Sequence, residues 1–175
     1  MGRAVSNATP IIYLARIGRL GILQETYGDV LISPGIHREL TTGDYPEVPI
    51  LRNAIQEGWL EVHDLNPEGV KFLEMLTEAG GLHEGEREVI AIAHSKGLLL
   101  LIDEDERTGR HIAKMWGVEV KGTLRVVVEG YEKGVISYEE ARDTFHQLLA
   151  QNFRVSIDVY LKALSLLEEV RGKGR

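Results

Sequence analysis

The chain contains no cysteine. That excludes a disulfide framework, thiolate metal sites and cysteine nucleophiles, and mildly favours a reducing compartment. Positive charge is in deficit: 20 Lys and Arg against 27 Asp and Glu leave a formal charge of −7. A protein that holds nucleic acid by its overall field is basic. Any such role here must rest on a local basic rim, or on metal ions that reverse the sign of a carboxylate cluster. Long apolar runs are missing too, since stretches such as Val89–Ala93 and Leu98–Ile102 are far too short to span a bilayer. The amino terminus shows no basic segment followed by an apolar one, so no secretory leader is read. A cytoplasmic protein without membrane contact is expected. No repeat, low-complexity tract or polar linker divides the chain. What remains is 175 residues, 43% apolar and 27% charged, the composition of one ordinary globular domain. A core at this size buries about 70% of the unfolded chain's surface without staples.

Short apolar segments alternate with helical periods. Ala4-Val5-Ser6 reads as an opening strand, and Thr9 as an N-cap with Pro10 at the first helical position starts a helix. Val30-Leu31-Ile32 is the next strand, and Pro34 opens a short helix through Ile36, Glu39 and Leu40. Residues 41–49 form a loop, Ile50–Glu57 a helix and Trp59–Val62 a loosely alternating strand. A helix over Glu68–Ala79 stops at Gly80-Gly81, and another over Glu84–Lys96 stops at Gly97. Five apolar residues in succession, Leu98–Ile102, leave no solvent side and predict a strand buried on both faces. The acidic turn Asp103-Glu104-Asp105-Glu106 follows, then a basic helix over Arg107–Trp116, a short strand over Gly117–Val120 and a helix capped by Thr123. After Gly134 the pattern is helical only, Tyr138–Ala150 and Ile157–Val170, around Asn152-Phe153-Arg154-Val155. The expected fold is α/β: a three-layer α/β/α sandwich with a central parallel sheet and an all-helical C-terminal appendage. The boundary falls near 135, with residues 1–135 as the α/β domain and 136–175 as an extension packed on it.

Ligands of such sheets gather beyond the carboxyl ends of the strands. Asn7 stands just past the first strand, Asp103 and Asp105 past the most buried one, Glu39 on the helix after the second, and Glu86 at the start of the helix preceding Leu98. Carboxylates that converge in a cleft take up protons unless a cation joins them. Oxygen-only donors suit Mg²⁺ or Mn²⁺, not zinc. The chemistry such sites support is phosphodiester hydrolysis. The opposing view is that these acids form solvated turns and that Glu86 merely complements a helix N-terminus. Arg107, Arg110, His111 and Lys114 follow helical spacing and share one face, either a phosphate track or a solvated face paired with Glu104 and Glu106. Thr9 is a further candidate for phosphate contact. His83 and His94 read as ordinary helix-end and surface residues. Tyr160, Leu164 and Leu167 read as packing, or as cover for a second copy of the chain.

Val5-Ser6-Asn7-Ala8-Thr9-Pro10-Ile11-Ile12-Tyr13-Leu14 resembles the opening of the PIN-domain superfamily. Leu82-His83-Glu84-Gly85-Glu86-Arg87-Glu88-Val89-Ile90-Ala91 resembles the Gly-Glu-x-Glu-Ala-Ile segment of a mostly prokaryotic branch of it. Leu100–Asp103 with Asp105, Arg107, Arg110 and Ala113, then Gly122-Thr123-Leu124 and Asn152–Ser156, continue the similarity over nearly the whole chain. The resemblance implies a VapC-like, Mg²⁺- or Mn²⁺-dependent ribonuclease acting on RNA, the toxin of a toxin–antitoxin pair with an antitoxin protein as partner, and a homodimer. Carried over by position, Asn7 takes the place of the family's first acid, Glu39 the second, Glu86 the third and Asp103 or Asp105 the last, with Thr9, Arg107, Arg110 and Lys114 toward the RNA. Asn7 brings no charge, which weakens the expected metal affinity and activation of water. The alternative is therefore a PIN-like RNA- or protein-binding module with weak or no catalysis. A receiver-type domain also places acids after parallel strands, but it needs a lysine after a late strand, and only Lys121 stands there.

Overall fold

The computed structural model describes residues 2–103 and 105–174. These residues form five strands and ten helices in a nearly regular βα alternation. The strands are β1 (Arg3–Ser6), β2 (Asp29–Ile32), β3 (Leu60–Val62), β4 (Leu99–Leu101) and β5 (Val120–Lys121), all parallel, in the order β3-β2-β1-β4-β5. The chain builds outward from β1 through β2 to β3, then crosses to β4 on the other side of β1. The reversal of strand order thus falls between β1 and β4, where open α/β sheets form their crevice. Register holds the two strand ends level: Ser6 pairs with Leu101, and the Asn7 amide donates to the Leu101 carbonyl at 2.9 Å.

The central strands are buried on both faces because helices cover both sides. Ala4, Val5, Val30, Leu31, Leu100, Leu101 and Ile102 have no solvent contact. The main helix contacts fall into two sets. One set joins α1 (Ala8–Arg16), α3 (Pro34–Thr41), α4 (Val48–Glu57), α5 (Pro67–Ala79), α6 (Glu84–Lys96) and α7 (Arg107–Met115). The other joins α2 (Gly21–Tyr27), α8 (Thr123–Glu132), α9 (Tyr138–Ala150) and α10 (Ile157–Gly172). The architecture is the expected α/β/α sandwich, and both C-terminal helices pack on α8. No helix among the described residues is long and apolar enough to cross a membrane.

Three local expectations give way. α1 begins at Ala8, with Asn7 rather than Thr9 at the N-cap and no capping side chain. β1 runs almost directly into the helix, so one residue makes the change from extended to helical backbone. Pro10 then lies within the first turn, where its missing N–H still lacks an intrahelical partner. α2 was not anticipated, because it starts at a glycine after an uncapped Leu20 and so carries no start signal. Thr123 is the first residue of α8, not its cap; Gly122 holds that place without a side chain.

Candidate functional site

Two acids meet at the crevice between β1 and β4. Glu86, 7% exposed, lies in the first turn of α6, and its Oε2 accepts the His83 amide at 2.9 Å. Its Oε1 points at α7: a Cβ added to Gly109 would stand 3.1 Å from Oε1 and 2.9 Å from Ile102 Cδ1. Glycine at 109 is therefore what lets α7 approach the carboxylate. Glu106 is the N-cap residue of α7 yet makes no capping bond. Its carboxyl turns into side-chain hydrogen-bond contact with Glu86, an arrangement that needs a shared proton or a cation. Burial pushes the Glu106 pKa up to about 7, helped by the hydrogen bond and charge of Glu86 and then by the charges of Asp105 and Asp103. Glu39, on α3, is also held above the usual carboxylate range, first by desolvation and then by the Glu86 charge, with His83 opposing.

These groups line a polar cleft of about 410 Å³ together with the buried Asn7, the half-buried Thr9 and the exposed Arg38. Arg38 leans outward, at 3.2 Å from Glu84. A second glutamate of α6, Glu88, accepts the Gly35 amide at 2.8 Å, while Ser33 accepts the Ile36 amide at 3.1 Å. α3 and α6 are thereby pinned together, and Glu39 is set opposite Glu86. Beyond Thr9 and Glu106 the cleft continues into a pocket of about 270 Å³ with Asp103, Asp105, Phe153 and Arg154 in its wall.

The acids after β4 separate into distinct roles. Asp103 Oδ1 accepts the Thr123 amide at 2.7 Å and Oδ2 the Thr123 hydroxyl at 2.8 Å, so it caps α8 in place of the absent side chain at Gly122. Asp105 is exposed and lies in the adjoining pocket. Glu104 lies outside the described residues. Glu106, which enters the sequence pattern only as a possible surface partner of the basic helix, is the acid brought to Glu86. The one signal for it was its place at the start of a helix following a buried strand.

The expected basic face also divides. Arg110 is buried, and its guanidinium donates to the Ile102 carbonyl. α7 packs through Gly109, Arg110 and Ala113, which rotates Arg110 inward and leaves Arg107, His111 and Lys114 exposed. Arg110 thus ties α7 to the end of β4 and does not join a solvent-facing track.

The PIN-domain family model matches residues 3–169. The chain belongs to the PIN-domain family. Among curated proteins no match is found. Among solved structures, VapBC2 from Rickettsia felis bound to a DNA fragment from their promoter aligns at 11% identity with a TM-score of 0.49, over 69% of this chain and 98% of that one. PIN domains are in general dependent on divalent metal. The donors of this PIN domain suit such an ion chemically, being oxygen throughout, and the Glu86–Glu106 pair is a like-charged contact that a cation relieves. Among the described residues no three acidic or imidazole side chains come close enough together to enclose one.

Proposed function

We propose that this PIN domain is a metal-dependent ribonuclease whose working acids are Glu86 and Glu106, with Glu39 and the Asn7 carbonyl completing the cleft. The observation that carries this reading is the convergence of Glu39, Glu86 and Glu106 on one polar cleft at the switch point of the sheet, with the Glu106 pKa pushed up to about 7. Structural ion pairs are arranged the opposite way, each acid against a base. A divalent ion bound there supplies Lewis-acid polarisation of a phosphodiester and a more acidic water. Without the ion, burial and the Glu86 charge favour the protonated form of Glu106; with an ion bound, both carboxylates would be ionised and would hold it. Thr9 and Asp105 border the path along which the RNA backbone enters.

The test is RNA cleavage in Mn²⁺ with wild type, Glu86→Gln and Glu106→Gln. Loss of at least about a hundredfold in both variants is expected, about 2.7 kcal/mol of transition-state stabilisation. Equal rates in all three proteins overturn the reading. A toxin role under control of an antitoxin protein belongs to the same proposal and predicts growth arrest by the wild-type chain but not by Glu86→Gln.

A second reading, an RNA-binding module with little catalysis, is favoured by the neutral Asn7 and by the lack of a three-acid cage among the described residues. Asn7→Asp separates the two. A gain of Mn²⁺-dependent cleavage marks a site short of one charge, while RNA retention with no cleavage in either form favours the binding module.

A further inference from the structure

The loop between α9 and α10 carries an exposed arginine, Arg154. Two residues past the end of α9, Asn152 has φ 58, the one non-glycine positive φ among the described residues. The Asn152 amide donates to the Leu149 carbonyl at 3.0 Å and the Phe153 amide to the Leu148 carbonyl at 3.1 Å, a Schellman closure with asparagine in the left-handed position. Phe153 is buried and packs edge-to-face on Tyr13 of α1, with ring centroids 5.1 Å apart. Ser156 accepts the Val159 amide at 3.3 Å and caps α10. Arg154 is therefore an exposed residue held between two fixed points.

Around Arg154 three hollows run together. It lines the pocket that continues the acidic cleft past Thr9 and Glu106. It also lines a groove of about 610 Å³ toward Arg107, and a mainly apolar cavity of about 170 Å³ walled by Leu124, Val128, Val155, Val159 and Leu166, with Lys162 at its edge. Arg107, Arg154 and Lys162 are exposed, and none makes a hydrogen bond or ion pair among the described residues. In a chain of net charge −7, these cations share the hollows with Asp103, Asp105 and Glu106 and supply the local positive charge that an RNA strand requires.

Resting on the ribonuclease reading, we infer that the 152–156 loop and α10 form a nucleotide subsite. Arg154 binds a phosphate next to the cleft, and the apolar cavity takes the base of the adjoining nucleotide of single-stranded RNA. Phosphate contacts fix the register of the strand, and an apolar wall accepts any base by its face. A duplex cannot present an unstacked base to such a cavity, so single strands are selected.

The experiment measures fluorescence anisotropy of a short labelled single-stranded RNA, of its fully abasic counterpart and of its duplex, in EDTA across a salt series. Wild type is compared with Arg154→Ala, Arg154→Lys, Val159→Asp and the distant Lys71→Ala. Arg154→Ala is expected to weaken binding of both strands and to flatten the slope of log K against log salt by about 0.7, the value of one single-strand phosphate contact. Arg154→Lys keeps the slope. The abasic strand is expected to bind wild type about tenfold more weakly, the equivalent of one stacked base. Val159→Asp, at a helix-start position where an acid suits the backbone, is expected to erase that difference. Overturning results are an unchanged slope in Arg154→Ala, an equal loss in Lys71→Ala, equal binding of abasic and normal strands, or equal binding of duplex RNA. Unchanged RNA binding in Arg154→Ala would reassign the loop to protein contact. Because binding is read without metal, failure of cleavage and failure of the subsite are seen separately.

Discussion

Glu129 and Glu106 are two glutamates drawn away from water at opposite sides of the sheet, and their surroundings treat them in opposite ways. Glu129, on α8, receives the Tyr27 hydroxyl at 2.5 Å and the Lys121 ammonium at 2.6 Å, with Arg125 at 3.4 Å. Burial alone would raise its pKa, but Lys121 and Tyr27 outweigh it and hold the carboxyl below the usual range. Burial drives the Tyr27 hydroxyl far upward and its bond to Glu129 adds to this, while Glu129 raises Lys121 against the effect of burial. Glu106 meets another carboxyl and rises. A protein that only needed α7 held in place had a neutral residue available at 106. The satisfied acid is structure, and the frustrated one is where chemistry is to be sought.

The largest expected effect breaks the satisfied side. Glu129→Ala strands a buried hydroxyl and an ammonium and should destabilise the fold by about 3 kcal/mol, read as a fall in the urea midpoint. Glu86→Gln should leave the metal-free midpoint unchanged or raise it, since it removes like-charge repulsion. Comparable losses in both variants would show that the two glutamates do the same job. Next, Mn²⁺ at a hundred times its Kd should stabilise wild type by about 2.7 kcal/mol. Glu86→Gln should respond far less, and Glu129→Gln as much as wild type. Differential scanning calorimetry with and without the ion decides this.

How much of this could be seen in the residues alone follows from what periodicity can report. The parallel sheet, the positions of β1, β2 and β4, and the placing of Glu39 and Glu86 near strand ends all follow from apolar runs and glycine stops. Which of Asp103, Asp105 and Glu106 turns toward Glu86 does not, because a run of acids has no period of its own. That choice depends on α7 approaching Glu86 across Gly109, a contact between distant segments. Arg110 misled for a related reason. Its spacing with Arg107, His111 and Lys114 defines a face, but the rotation of that face is set by what Gly109 and Ala113 pack against. Arg154 was visible as a residue but not as part of a site, since its meaning comes from the left-handed turn at Asn152 and the seat of Phe153 on Tyr13.

Asp103 sharpens the comparison at a smaller scale, because it stands beside the cleft yet is bonded as Glu129 is. Asp103→Asn keeps an acceptor for the Thr123 amide but loses the charge, and should cost about 2 kcal/mol of stability. RNA cleavage per folded molecule should then fall little compared with Glu86→Gln. A loss as large as that of Glu86→Gln, in protein shown folded by circular dichroism, would return Asp103 to the working acids.

The smallest effect is a difference in pH dependence, and its sign separates the two glutamates. The folded pKa of Glu106, about 7, lies above its ordinary value of 4.5, so between those values the folded form holds a proton that the unfolded chain has released. Stability from this group is fully present below the ordinary carboxylate value and declines as pH rises toward 7. Glu106 is partly open to solvent, so screening limits the change to about 1 kcal/mol. Glu129 runs the other way: its folded pKa is depressed, so its contribution is present above the ordinary carboxylate range and lost as pH falls through the folded value. Melting temperatures of metal-free protein from pH 4.5 to 8 should therefore decline on the neutral side in wild type, and Glu106→Gln should flatten that decline. If the decline persists in Glu106→Gln, the proton is held elsewhere and the carboxylate pair is not the frustrated contact that marks the site.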